Sequence, residues 1–257
     1  MSTPNPIIEQ IQSHRSIRRY SSEPIPQATI ELIVASAQRS STSSNLQAYS
    51  VIAVTDSSTR EHLSVLCGNQ KHITQAPVFL TWCADLNRLD HVCTKRGYEQ
   101  NHAYLENFLI AAVDAAITMQ SAAIAAESLG LGICYIGAIR NHPGEVVKLL
   151  GLPDLVVPIS GMTLGIPAEE PIHKPRLPLN EVLHWERYDR ADQDQHLSAY
   201  DQTMIETGIY RGRQVPSPNN VDDSEDYGWL EHTARRVSQV NRPHLRQSIQ
   251  ESGFELK

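Results

Sequence analysis

From Tyr98 to Leu129 the chain runs as one long helical pattern, dense in alanine and apolar on most of its circumference. A helix of that kind is expected to be buried on nearly all sides, as the spine of a domain or of a dimer. Gly130 follows directly and supplies the left-handed residue at which helices commonly stop. The most apolar part, residues 108–126, is interrupted by Asp114, Gln120 and Ser121. In a bilayer an aspartate at that depth is costly, whereas a packed helix can turn it toward a partner. The reading is therefore a soluble protein with no membrane span.

Shorter elements surround this spine. Ile7, Ile8 and Ile11 stand at helical spacing in residues 7–12, and Glu23-Pro24-Ile25-Pro26 separates them from a second helix, 27–38, with Ile30, Ile33, Val34 and Ala37 inward. The β-branched run 49–55 predicts a strand, and Asp56-Ser57-Ser58 caps a helix through Leu66. Residues 77–83 predict a central strand that Pro77 can only begin, because proline has no N–H for an interior ladder. Strands are expected at 133–136 and 156–164, with a short helix at 142–150. From Asp192 the chain turns helical again, and an acidic, Pro/Asn-rich loop, 215–226, is expected to be mobile. With no internal repeat and no second core in the pattern, the expectation is one domain over 1–257, with 192–257 a helical C-terminal excursion.

Charge and cysteine content exclude several classes. The net charge is −7, and no Lys/Arg stripe is available to displace counterions, which argues against nucleic-acid binding. Cys67, Cys83, Cys93 and Cys134 form no C-x-x-C pair, so buried or incidental thiols in a reducing cytoplasm are expected. The first six residues lack the basic and apolar regions of a secretory leader. The eleven histidines show neither H-E-x-x-H nor Cys/His pairing, so no metal site is expected. Ser160-Gly161 lies in no G-x-S-x-G elbow, and there is no Walker loop.

Against that acidic background two cationic runs stand out: His14-Arg15-Ser16-Ile17-Arg18-Arg19 and Lys174-Pro175-Arg176. Converging on one spot they would bind a phosphate, since a guanidinium fork matches phosphate oxygens in a bidentate way. Taken alone, either run reads first as the exposed basic face of a helix end. Three further segments complete the picture. They are the polar loop 40–47, the polar loop 68–72, and Leu129-Gly130-Leu131-Gly132-Ile133-Cys134-Tyr135-Ile136-Gly137, in which a helix leads into a strand. Because its glycines follow a helix, this last run is not the dinucleotide-binding fingerprint, and for Gly130, Gly132 and Gly137 ordinary turn chemistry is the alternative.

In this order the segments resemble the flavin-dependent nitroreductase family, in its oxygen-insensitive, NADPH-preferring branch that includes flavin reductases. The resemblance runs from about Ile8 to about Tyr210. It implies an α+β fold with a central, mainly antiparallel sheet flanked by helices, built as an intertwined homodimer with FMN at the subunit interface. On that footing Arg15, Ser16, Lys174 and Arg176 form the FMN phosphate pocket, His14 makes a phosphate or ribityl contact, and Ile17 and Pro175 belong to the cofactor-binding set. Arg18 faces the pyrimidine edge, where a positive charge stabilises the anionic reduced ring. Gln47, Gln70, Lys71 and His72 approach the ring or ribityl chain, Thr42 the ribityl or phosphate side, and Tyr135, Ile136 and Gly137 bring backbone to the ring. The branch tends to show a second glycine where this chain has Ala138, whose methyl would tighten the space over the flavin.

Further along, Arg211 and then Arg213 are the candidates for the 2′-phosphate of NADPH, with a surface arginine pair as the alternative. The implied reaction is two-electron, ping-pong hydride transfer from NADPH through FMN to a nitroaromatic, quinone or flavin acceptor, with no side chain required as acid or base. The alternatives are a reductase that supplies reduced FMN to a partner, and a flavin-binding redox sensor without turnover.

Overall fold

The computed structural model describes residues 5–217 and 227–257. The leader reading of residues 1–4 and most of the acidic loop, from 218 to 226, lie outside the described residues. Helices α1 (Pro6–Gln12) and α2 (Gln27–Ala37) precede strand β1 (Tyr49–Val54). Then come α3 (Ser57–Leu66), α4 (Lys71–Gln75), β2 (Val78–Asp85), α5 (Asn87–Arg96) and α6 (Leu105–Ser128). Strand β3 (Gly132–Ile136), α7 (Pro143–Leu150) and β4 (Val156–Gly165) follow, and α8 (Gln193–Thr207), α9 (Trp229–Ser238) and α10 (Leu245–Glu251) end the chain.

The sheet is antiparallel throughout, in the order β1-β2-β4-β3. All eight residues of β2 are buried, as an interior strand between two helical layers requires. Val78, Leu80 and Trp82 join the core shared with α2 and α6, while Phe79 faces Leu63, Ile73 and Val146 of α3, α4 and α7. Alternate side chains thus serve opposite layers, as the two-residue period of a strand dictates. Asp56 caps α3 by accepting from the Thr59 backbone N–H, as the sequence predicts, and Gly130 adopts φ +74° just past α6.

By contact the chain forms two compact units, residues 1–172 with 244–257, and residues 173–243. In the first, Phe254 returns to pack edge-on against Phe108 of α6 at 5.5 Å. In the second, α8 and α9 are joined by a Tyr200–Trp229 contact at 5.3 Å, and Asp201 accepts from the Leu230 N–H at the start of α9.

Two expectations need correction. The segment 98–129 is helical only from Leu105: residues 98–104 are a connection between α5, which ends at the left-handed Gly97, and α6. Nor is α6 buried on nearly all sides. Ala111, Asp114, Ala115, Thr118, Ala122, Ala123 and Ala126 face inward, while Leu105, Leu109, Val113 and Ile117, spaced by four, form an exposed apolar stripe. The sheet covers only one side of the helix. By length and hydropathy α6 could cross a membrane, yet its inner face serves as core.

Candidate functional site

The cationic segment 14–18 runs beside β3. Ser16 forms a parallel bridge with Ile133, and the Ile17 N–H donates to the Ile133 carbonyl at 2.8 Å. Gly132 makes this possible: a Cβ there would lie 2.6 Å from the Ile17 side chain. Of the Leu-Gly-Leu-Gly run, one glycine ends the helix and the other admits the cationic segment to the edge of β3.

Carboxylates the sequence reading did not assign to the site hold this segment. His14 Nδ1 lies 2.5 Å from Glu127 Oε1, at the end of α6. Arg15 Nη1 donates to Glu170 Oε1 at 2.5 Å, and the Arg18 backbone N–H donates to Glu169 Oε1 at 2.7 Å. The Arg18 guanidinium itself forms no ion pair among the described residues. Together with Gln10, Ser13 and Leu131, the residues His14, Arg15, Glu127, Glu169 and Glu170 line an open cleft of about 380 Å³.

The second polar loop meets this segment. Gly68 and Asn69 have φ of +80° and +57°. The Gln70 amide donates to the Cys67 carbonyl at 2.8 Å, and Ser64 Oγ donates to the Gln70 carbonyl. Lys71 and His72 are not in the loop but begin α4. Burial first, and then the charge of Arg18, push the His72 imidazole below its ordinary value, while Glu169 acts the other way. His72, Arg18 and Glu169 are therefore neighbours. The His72 Nε2 is buried with no hydrogen-bond partner.

At the far end of β3, Tyr135 donates to Gln120 Oε1 at 2.8 Å, and burial followed by the Glu127 charge raises its phenol. Ile136 is buried, and Gly137 and Ala138 open a single 3₁₀ turn, 137–140. A Cβ on Gly137 would lie 3.4 Å from Arg140 Nη2, an ordinary contact with the end of a flexible side chain.

Thr42 and Gln47 lie elsewhere on the same unit. Their loop is held by Asp114, which accepts from the Ser43 N–H at 2.9 Å and the Ala48 N–H at 3.2 Å. Ser44, Asn45 and Gln47 all have positive φ, a local strain that sequence patterns do not reveal and that clusters at functional loops. Asp114 and Glu127 are thirteen residues apart on α6, about 20 Å along its axis at 1.5 Å per residue. One chain does not bring Gln47 beside His14.

Lys174, Pro175 and Arg176 belong to the second unit. There Arg176 Nη1 donates to the Lys174 and Pro175 carbonyls, and Tyr200 donates to the Pro175 carbonyl at 3.3 Å. In the same unit Arg211 folds back on the left-handed Gly208 that ends α8; a Cβ there would lie 3.2 Å from its Nε. A cation at a helix C-terminus is favourably placed. Arg213 is exposed.

Two signals could have found the missed acids. Glu127 is a negative charge in the last turn of a helix, where the dipole disfavours it. Glu169-Glu170 is a carboxylate pair four residues past the end of β4, whereas Asp114, isolated in an apolar run, faces a partner as its sequence setting predicts. Their partners lie too far along the chain for any local pattern to show.

The set is suited to a flavin mononucleotide. An unpaired guanidinium and an orphaned imidazole nitrogen stand together, beside a cationic segment fixed to a strand edge. Comparison with known proteins agrees. The nitroreductase family profile matches residues 11–166, and that of the nitroreductase family C-terminal domain matches 174–257. An oxygen-insensitive NADPH nitroreductase of Salmonella typhimurium is 40% identical over 97% of this chain and 98% of its own. An FMN reductase [NAD(P)H] of Bacillus subtilis is 38% identical over 98% and 99%. Among solved structures, nitroreductase A from Vibrio parahaemolyticus superimposes with a TM-score of 0.88 at 35% identity, covering 99% and 100%. The NADPH:FMN oxidoreductase of Vibrio harveyi, complexed with NAD+, gives 0.85 at 33%, covering 98% and 100%. With sequence and fold matched across nearly the whole length, this chain belongs to the nitroreductase family.

Proposed function

We propose that this protein is an FMN-dependent NADPH oxidoreductase that reduces small nitroaromatic, quinone or flavin acceptors, and that it works as a homodimer. The carrying observation is the segment 14–18 seated on β3, with the Arg18 guanidinium unpaired beside the orphaned His72 Nε2. Bound FMN supplies two-electron hydride chemistry between a nicotinamide and an acceptor. The chain's own residues bind and orient. Arg15, Ser16, Lys174 and Arg176 take the phosphate. Arg18 faces the electron-rich edge of the ring, Gln70, Lys71 and His72 supply polar contacts, and the Gly137–Ala138 backbone lies against the ring. Arg211, then Arg213, is the candidate grip on the NADPH 2′-phosphate. In this reading the two compact units act together as one nitroreductase-type domain.

Two observations support a dimer with a shared site. The α6 stripe leaves four apolar side chains exposed, and Val182, Leu183, Trp185 and Tyr188 of the second unit are exposed as well. Covering such side chains gains roughly 1 kcal/mol or more each. Thr42 and Gln47, remote from His14 within one chain, join the set when a second copy supplies them. The four free cysteines fit a reducing cytoplasm.

The test is colour. The purified protein should be yellow, NADPH should bleach it within seconds under anaerobic conditions, and a nitroarene or quinone should restore the yellow. Protein that purifies colourless and takes up no added FMN would refute the reading. A second reading, a reductase that supplies reduced FMN to a partner, is favoured by the likeness to the FMN reductase of Bacillus subtilis. It predicts that free FMN is turned over faster than any nitroarene.

A further inference from the structure

We propose that Glu127 is a positioning residue for cofactor binding, which holds the His14 ring from one side so that the ring's other nitrogen serves the flavin phosphate. The inference deepens the proposed function and rests on its assignment of FMN to this site.

Glu127 is placed where a carboxylate is unfavourable in its own right. It sits in the last turn of a 24-residue helix, at the negative end of the helix dipole. The charged residues of α6 are Glu106, Asp114 and Glu127, all acidic, so no cation on the helix offsets it. Its partner comes instead from a segment 113 residues away: His14 Nδ1, at 2.5 Å, with the Glu127 side chain only 14% exposed. The charge of Glu127 is also felt at Tyr135, a second candidate site residue.

The chemistry follows from the ring. An imidazole that donates from Nδ1–H to a carboxylate has its orientation set, as in the carboxylate–histidine pairs that orient metal-bound and catalytic histidines. His14 lines the cleft together with Arg15, and its Nε2 has no hydrogen-bond partner among the described residues. In the complex the ring lies between Glu127 and the phosphate, with Nδ1 turned to the carboxylate and Nε2 to the phosphate. Arg15, Glu169 and Glu170, which line the same cleft, bind the phosphate or compete with it but do not touch the ring's Nδ1 side.

The test uses the full-length protein. FMN affinity is read from flavin release on dilution of the yellow protein, and riboflavin affinity from titration of flavin-depleted protein. Glu127→Gln should weaken FMN about tenfold and leave riboflavin within about twofold. Thermal unfolding of the flavin-free protein should hold steady or rise, because a charge has left the helix terminus. His14→Gln should lose FMN to a similar degree, and the double variant should be no worse than either single, the signature of two residues acting as one. A Glu127→Gln variant with unchanged FMN affinity, or with FMN and riboflavin weakened equally, overturns the proposal, as does a double variant in which the losses add. If the wild-type protein holds no FMN at all, it is the cofactor reading that fails.

Discussion

Asp114 and Glu127 lie on the same helix and each holds a loop, yet they do so by different chemistry. Asp114 is 1% exposed and accepts two backbone N–H groups from the loop 43–48. Glu127 lies nearer the surface and grips a side chain, His14, beside an open cleft. A buried acceptor of backbone N–H groups fixes the path of the chain and serves stability, since its removal orphans donors that water does not reach. A carboxylate that holds an imidazole fixes the presentation of the ring and serves binding. The same contrast separates the strained 44–47 backbone from the segment 14–18, which is held to β3 by a single parallel bridge at Ser16.

The largest effect should come from Asp114→Ala. The buried Ala48 N–H and the partly exposed Ser43 N–H lose their acceptor, and the loss should be about 2–4 kcal/mol of unfolding free energy in denaturant titrations. A loss below about 1 kcal/mol would mean that the loop 40–48 holds itself, and the comparison would collapse.

Arg18→Ala should do the opposite, sparing stability and striking function. Its guanidinium has no carboxylate partner to orphan, so the melting temperature should barely move. The flavin potential should fall, and bleaching by NADPH should slow by roughly tenfold to a hundredfold, as expected for losing a charge-assisted contact of about 1.5–3 kcal/mol. A variant that is colourless but fully active on added FMN would place Arg18 at the phosphate instead.

Arg211→Ala extends the comparison to the second unit, where a helix end rather than an acid holds the cation. KM for NADPH should rise several-fold with kcat nearly unchanged, because the contact grips ground and transition states alike. NADH kinetics should stay put. If Arg213→Ala shows the effect instead, the fold-back of Arg211 on Gly208 is purely structural.

Glu170→Gln should be the mildest change. The pair with Arg15 is exposed on the Glu170 side, and such pairs contribute well under about 1 kcal/mol. Stability should not change measurably, while FMN should bind slightly tighter as a competing carboxylate leaves the arginine. A clear loss of FMN affinity would show that Glu170 orients Arg15 rather than competing for it.

Much of this molecule is legible in its residues. The β-branched run at 49–54, the Asp56 cap, the Gly130 stop, the interior strand after Pro77 and the order of the cationic and glycine motifs are all local patterns. Local backbone chemistry and side-chain period govern them, so they survive in a linear string, and with them the α+β sheet and the family. The helix expected over 98–104 failed because those residues carry one alanine and no apolar period, and α6 begins only after the extended Tyr104. Tertiary structure alone decided the rest. His14 meets Glu127 across 113 residues, and Ser43 meets Asp114 across 71. Which carboxylate finds which partner depends on how α6 crosses the sheet and on Gly132 admitting Ile17 to the edge of β3. The exposed stripe of α6 has the same origin: composition makes the helix apolar all round, but the sheet has only one face to give it.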